Sequence, residues 1–335
     1  MTGNLDNLIV SNFFQCLKNE NYNNYIQTLK RYLKIKNLSF KEESVDLNKL
    51  FFLRNHLISI NNSLLEGEYY FGHIKTLENW RDDRPKIRKG AYGFCLRLFY
   101  FVVLRVLPRL RFVYIFNSHF FSQNFRLISK AEIIGRFLYS GFDILIIEKI
   151  NDRYFFLVKK ITLSNTKSVS VGPIFKMKRV GKNGRLFNVF KLRTMHPYSE
   201  FMQQYMIENY GYSLTGKLNN DFRMTNWARI FRKYWLDELP QLFNLLVGNM
   251  SLVGVRPVTE VYFQKIPIKH QNDRIMFKPG CIPPYLALGY GSDKENVLKA
   301  EMIYLKLKKK KPLKTDFVFL MKALYSILFL KRRSN

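Results

Sequence analysis

Two adjacent acids, Asp237 and Glu238, stand among many basic residues. Arg223, Arg229, Arg232 and Lys233 precede them, and Arg256 follows. At the start of a helix such a pair has an ordinary use: Asp237 caps the helix and Glu238 complements its dipole. In basic surroundings it has two further uses. The ionised form of a carboxylate is favoured beside arginines, and an ionised carboxylate is a nucleophile or an oxygen ligand for a divalent cation. A helix N-terminus beside arginines also suits phosphate. A second basic group, Arg179, Lys182, Lys191 and Arg193, is either a solvated basic face or a cradle for a diphosphate, Arg binding in bidentate fashion and Lys as a point charge. The five histidines are scattered, and Cys16, Cys95 and Cys281 form no CxxC pair, so neither zinc nor a disulfide framework is expected. No GxSxG, GxxxxGK[ST] or Ser-His-Asp signature is present in the sequence.

The acids need elements to hold them. IFKMKRV and RLFNVFKLRT, on either side of Asn183-Gly184, read as the strands of a hairpin. Helical stretches follow around residues 200–210 and 227–234. A further helix is expected from Asp237 to about Val247, with Pro240 in its first turn, Gly248 closing it, and Leu239, Leu242, Phe243 and Leu246 as its apolar stripe. In the first half, residues 46–65 have helical spacing and 67–76 read as a strand. Ser129-Lys130-Ala131-Glu132 is a capping box opening a helix that ends near Gly141, and strands at 142–148 and 154–161 flank a turn at Asn151-Asp152. The expected fold class is α/β. An N-terminal α/β domain over residues 1–165 faintly resembles the end of a class I methyltransferase fold. It lacks that fold's glycine-rich loop, so no S-adenosylmethionine binding is expected. A mixed α/β domain with a β-hairpin and amphipathic helices follows over 166–335, beyond the polar segment SNTKSVS at 164–170.

Charge narrows the partner. The 335 residues carry 55 Lys plus Arg against 25 Asp plus Glu, a net charge of +30, which calls for a polyanion: nucleic acid, an anionic membrane face or a phosphorylated substrate. With 47% apolar and 24% charged residues, wholesale disorder is excluded. No secretory signal and no ordinary membrane span are expected, and the cysteine usage fits a reducing compartment. Two segments suit a membrane surface. Residues 94–116 (FCLRLFYFVVLRVLPRLRFVYIF) mix large apolar side chains with arginines that can snorkel, and Pro108 kinks them. The C-terminal basic run at 306–311 leads into the short apolar stretch FVFLMKALYSILFL. No RRM, KH or helix-turn-helix signature accompanies the charge, so nucleic acid is the weaker expectation.

The pieces GPIFKMKRVGKNG, FKLRTM, DFRMTNWARIFRK, LDELPQLFNLLVGNMSLVGVRP and KPGCIPP occur in this order from Gly172 onward. Over about residues 172–330 the chain resembles the bacterial sugar transferases of monotopic type, the polyprenyl-phosphate phosphoglycosyl transferases. The resemblance implies transfer of a sugar 1-phosphate from a nucleotide diphosphosugar, expected to be a UDP-sugar, to a polyprenyl phosphate. That step initiates exopolysaccharide, capsule or O-antigen-type glycan assembly. It implies Mg2+ as cofactor, Asp237 as the nucleophile of a phosphosugar-enzyme intermediate, and Glu238 as the partner acid that helps hold the metal. It sets Lys191, Arg232 and Arg256 at the substrate phosphates, with Arg179, Arg193 and Arg223 in the motifs without individual roles. The implied location is the cytoplasmic face of the bacterial inner membrane, peripheral or monotopic. Two departures stand out. The family's apolar re-entrant helix before the Gly-Pro motif is replaced here by IEKINDRYFFLVKKITLSNTKSVSV, for which residues 94–116 are the expected substitute. The family's usual PRP is Val255-Arg256-Pro257. A non-catalytic scaffold in a glycan assembly complex is the competing expectation, which the intact Asp237-Glu238 opposes.

Overall fold

The computed structural model describes residues 2–18, 22–44, 46–50, 52–82, 127–212, 218–291 and 293–330, with scattered positions between 92 and 103. The segment 94–116 thus lies largely outside the described residues. Two compact units result, Met1–Gly172 with Met195–Thr225, and Pro173–Thr194 with Asn226–Asn335. Met195–Thr225, which the division at residue 165 assigns to the second domain, packs in the first unit.

In the first unit, helices α1 (Thr2–Lys18) and α2 (Tyr22–Ile35) precede strand β1 (Phe40–Glu42). Helix α3 (Leu53–Ser63), strand β2 (Tyr69–Ile74) and helix α4 (Leu77–Asp82) come next. Helix α5 (Lys130–Tyr139) leads into strands β3 (Phe142–Ile150) and β4 (Arg153–Lys160). The sheet order is β1-β2-β4-β3, with β1 and β2 parallel and the other pairs antiparallel. Side chains alternate across a strand, and β2 and β4 use both faces. Tyr70, Ile74, Phe156 and Val158 pack with Leu57 of α3 and Ile133, Ile134 and Phe137 of α5. Tyr69, Phe71, Phe155 and Leu157 pack with Ile9 and Phe13 of α1 and Leu29 and Leu33 of α2. Strands covered on both sides read as unbroken apolar runs rather than alternating ones, as YYFGHI of β2 and YFFLV of β4 do. The N-cap half of the expected capping box is present: Ser129 Oγ accepts from the Glu132 amide at 3.2 Å, while the Glu132 carboxylate binds Arg136 at 2.8 Å inside the core. Helix α6 (Gln203–Tyr210) adds Met206 to that core.

The second unit opens with the hairpin of β5 (Ile174–Val180) and β6 (Leu186–Leu192), paired from Ile174 with Leu192 to Val180 with Leu186. Asn183 (φ 56°) and Gly184 (φ 74°) take the left-handed conformations that an Asn-Gly pair supplies. Helices α7 (Ala228–Lys233) and α8 (Gln241–Leu246), strand β7 (Ser251–Val253), helices α9 (Glu260–Gln264) and α10 (Ile268–Ile275), strand β8 (Gly280–Ile282) and helix α11 (Pro284–Leu288) follow. Helices α12 (Lys294–Lys310) and α13 (Pro312–Leu328) complete the unit, separated at Lys311 because Pro312 starts a helix well and cannot continue one. β7 and β8 pair in parallel, and the chains beside them nearly touch. A Cβ on Gly280 would come within 2.0 Å of the Gly254 nitrogen. The glycines of LVGV and KPG are thus a close-approach pair, and they set the strand that runs into Arg256. The unit's core gathers Val253, Val255, Tyr304, Leu305 and Phe319 in one cluster and Tyr285, Leu286, Ala300 and Ala323 in another. Among the described residues no helix is long and apolar enough to cross a membrane.

Candidate active site

Asp237 does not start a helix. It lies inside a short 3₁₀ turn, Leu236–Glu238, while α8 begins only at Gln241 with Pro240 at its N-cap position and no side-chain cap. The cause is local. Trp235 just before the turn is left-handed (φ 56°), a conformation that costs a non-glycine residue on the order of 1–3 kcal/mol. It is held there by the side chain, which packs in the cluster of Tyr285, Leu286 and Ala300. Trp235 thus turns the chain so that Asp237 is 8% exposed. Among the described residues none donates a hydrogen bond to the Asp237 carboxylate. Gly248 (φ 79°) follows α8 as expected.

Glu238 is the fixed member of the pair. Lys191 Nζ, from β6 of the hairpin, donates to Glu238 Oε1 at 2.6 Å. Arg256, just beyond β7, donates to the same oxygen at 3.1 Å. No described residue bonds Oε2. Arg256 is itself anchored from behind: Arg274 donates to its carbonyl at 2.6 Å, and Arg274 is paired with buried Glu301, which also meets His270 Nε2 at 3.3 Å. Burial, and next to it the charge of Arg256, holds the Arg179 guanidinium below the usual range for arginine. Burial, with Glu238 second, pushes the Cys281 thiol up to about 11, so Cys281 is a neutral thiol beside the acids at neutral pH.

The other expected site residues divide. Arg232 donates from Nε and Nη2 to Thr194 Oγ1 at 3.2 and 2.9 Å, which ties α7 to the end of the hairpin. Arg193 lies over the Phe175 ring at 5.1 Å. Arg179 donates to the Lys178 carbonyl at 2.8 Å. The structure therefore brings Asp237, Glu238, Lys191 and Arg256 together. Arg223 belongs to the first unit, where Asp221 holds it at 2.8 Å and Gln203 at 2.9 Å.

Sequence reasoning missed Asn244, Arg274 and Glu301. Asn244 is fully buried; its side chain accepts from the Phe190 amide at 3.1 Å and donates to the Asn188 carbonyl at 2.7 Å. It thereby bonds α8 to β6, the strand that carries Lys191. Its signal was an asparagine interrupting an apolar run. The expected apolar stripe, Leu239, Leu242, Phe243 and Leu246, is present but turned outward, each more than half exposed.

Magnesium needs oxygen donors at this site. Among the described residues no group of three or more His, Cys, Asp or Glu converges. Magnesium, however, is commonly held by one or two carboxylates together with substrate phosphates and water. Asp237 and Glu238 Oε2 offer that pair of oxygen donors, so the residues fit the ion.

Comparison with known proteins bears on this arrangement. The sequence profile of a family described as bacterial sugar transferase matches residues 142–329, more than half of the chain. The match begins in β3, earlier than the motifs starting at Gly172. The chain is 37% identical over 138 residues to a galactosyl transferase, CpsE, of Streptococcus agalactiae serotype III, covering 40% of this chain and 30% of that protein. It is 35% identical over 192 residues to an undecaprenyl-phosphate galactose phosphotransferase of Salmonella typhimurium, covering 52% and 39%. It is 36% identical over 118 residues to a UDP-glucose:undecaprenyl-phosphate glucose-1-phosphate transferase of Xanthomonas campestris pv. campestris, covering 34% and 22%. The matches therefore span less than two fifths of these relatives' own lengths.

Proposed function

The chain belongs to the bacterial sugar transferase family, and we propose that it transfers a sugar 1-phosphate from a nucleotide diphosphosugar, a UDP-sugar, to a polyprenyl phosphate, initiating a surface glycan. The names of the relatives support the reaction class. The observation that carries it in this chain is the contrast within the acidic pair: Glu238 is clamped by Lys191 and Arg256, while its neighbour Asp237 is nearly buried and has no partner among the described residues. A buried anion without a partner is costly, and such a group is retained where it reacts.

In this reading an Asp237 oxygen attacks the β-phosphorus of the donor. The phosphorus–oxygen bond to the nucleotide breaks, and nucleoside monophosphate leaves with the bond's electron pair. An oxygen of polyprenyl phosphate then attacks the phosphorus held on Asp237. The aspartyl–phosphate bond breaks, the carboxylate is restored, and polyprenyl diphosphosugar is released. Lys191 and Arg256 hold Glu238 in place and lend positive charge where oxygens gain it. Asp237 and Glu238 would hold Mg2+, which supplies charge neutralisation at the phosphates when bound. The test is direct: purified chain, polyprenyl phosphate and magnesium are incubated with a panel of nucleotide diphosphosugars, UDP-sugars first, and the released nucleoside monophosphate is measured. Release with at least one donor, dependent on the lipid for turnover, is expected; none across donors of all nucleotides sinks the assignment.

The same reading sets the chain on the inner membrane's cytoplasmic face, as a peripheral or monotopic protein. Its support is α13, which buries Thr315, Phe319, Ala323 and Ser326 and exposes Leu313, Phe317, Met321 and Tyr325 along the opposite side. Exposed Lys309, Lys310, Lys311 and Lys314 lie at its start. Each lysine near an anionic leaflet adds about 1 kcal/mol, and each large apolar side chain transferred about 1.5–3 kcal/mol. Leu313, Phe317 and Met321 replaced together by Ser should cut flotation with phosphatidylglycerol vesicles at least tenfold. Unchanged flotation would move the contact elsewhere.

A further inference from the structure

A recess adjoins the acidic site through Arg256, which belongs to both. It is a cavity of about 210 Å³ in the second unit, lined by Arg256, Tyr262, Arg274, Tyr285, Lys294 and Glu301 with a few aliphatic side chains. We propose that this pocket takes the nucleoside monophosphate half of the donor. The proposal rests on the transfer reading for its donor, and it names where in this chain the leaving half is held.

The size argues for half a donor rather than all of it. Sites for whole drug-sized ligands run to roughly 300–1,000 Å³, so this cavity has room for only one end of a nucleotide diphosphosugar. Charge provides for a phosphate, and the aromatic lining says which end carries it. Glu301 is the one carboxylate in the lining, and it is offset by its buried pairing with Arg274. Lys294, and Arg256 which the cavity shares with Glu238, then supply positive charge that suits either phosphate of the donor. Two tyrosines, Tyr285 buried and Tyr262 partly so, add the flat surface on which a base stacks. Position completes the case. Arg256 belongs to both places: its guanidinium is 3.1 Å from Glu238 and it also lines the cavity. A phosphate on Arg256 therefore lies where the nucleotide must part from the sugar phosphate. Arg274, through the Arg256 carbonyl at 2.6 Å, fixes the shared wall.

The test is binding, not turnover. UMP is titrated calorimetrically into the full chain and into Lys294→Glu and Tyr262→Ala, two substitutions at residues outside the buried core. Each should weaken UMP binding about tenfold or more, and inorganic phosphate should displace UMP poorly from the unaltered chain. UMP binding unchanged in both variants overturns the pocket, as does phosphate competing as well as UMP. No binding of UMP or of other nucleoside monophosphates overturns it too. Weakened UMP binding in the variants, alongside no transfer from any donor, would sink the transfer reading and leave the pocket standing.

Discussion

Asp237→Asn is expected to lower turnover by at least about 10⁴-fold, the scale on which covalent catalysts lose activity with their nucleophile, while leaving the protein as stable as before or slightly more so. The amide has the shape of the carboxylate but cannot form an acyl phosphate and be regenerated. Stability should not suffer, because Asp237 caps no helix and has no hydrogen-bond partner among the described residues. Removing a nearly buried, unpartnered charge relieves a desolvation cost, which is the usual signature of a residue kept for activity. Two measurements check this. With donor alone, the unaltered chain should release nucleoside monophosphate in an amount equal to the enzyme, and Asp237→Asn should release none. Thermal unfolding of the two should coincide within a few degrees. A normal burst from Asp237→Asn would remove Asp237 from the nucleophile's role, and a large fall in melting temperature would show that it holds the fold instead.

Glu301→Leu should cost about 3–5 kcal/mol, because it leaves Arg274 charged, buried and without its carboxylate. Urea unfolding reads that loss. The companion variant Glu301→Leu with Arg274→Met should recover most of it, since well-packed apolar replacements of a buried pair are often close to neutral. Recovery of the fold should not restore turnover. The double variant lacks the guanidinium that bonds the Arg256 carbonyl, so Arg256 loses its support and kcat/KM should stay about tenfold down. A loss of under about 1 kcal/mol for Glu301→Leu would show that the pair is not load-sharing in the core. Full activity in the double variant would detach Arg274 from the site.

How far the sequence revealed this arrangement depended on how local each signal was. The hairpin was legible because Asn183-Gly184 supplies the left-handed turn by itself, and the strand ends follow from it. The acids and Arg256 were legible as types in order. Their joining was not, because Glu238 meets Lys191 across a long loop of chain. The turn at Asp237 was misread as a helix start. Pro240 fits a first turn equally well in either case, and what decides it is Trp235, whose left-handed backbone is held by packing against distant residues. The stripe on α8 was correctly grouped but wrongly aimed: periodicity tells which residues share a face, not what that face meets. Glu301 and Arg274 were invisible for the opposite reason to Asn183: each is ordinary in its own segment, and only the tertiary pairing gives it meaning.

The order in which the parts of the acidic site leave the ribosome follows from the hairpin's place in the chain. Lys191 is synthesised 47 residues before the Glu238 it clamps, a delay of about 2–9 s at 5–20 residues per second. Arg256 comes later still, and Gly280, which its strand packs against, later again. During that interval Met195–Thr225, which belong to the first unit, are made while the finished hairpin waits for its partners. A nascent chain therefore carries the lysine without the acids, then the acids without Arg256. Charge balance at the site is reached only when the last of the three has been made, so no chain that stops short of Arg256 holds an assembled centre.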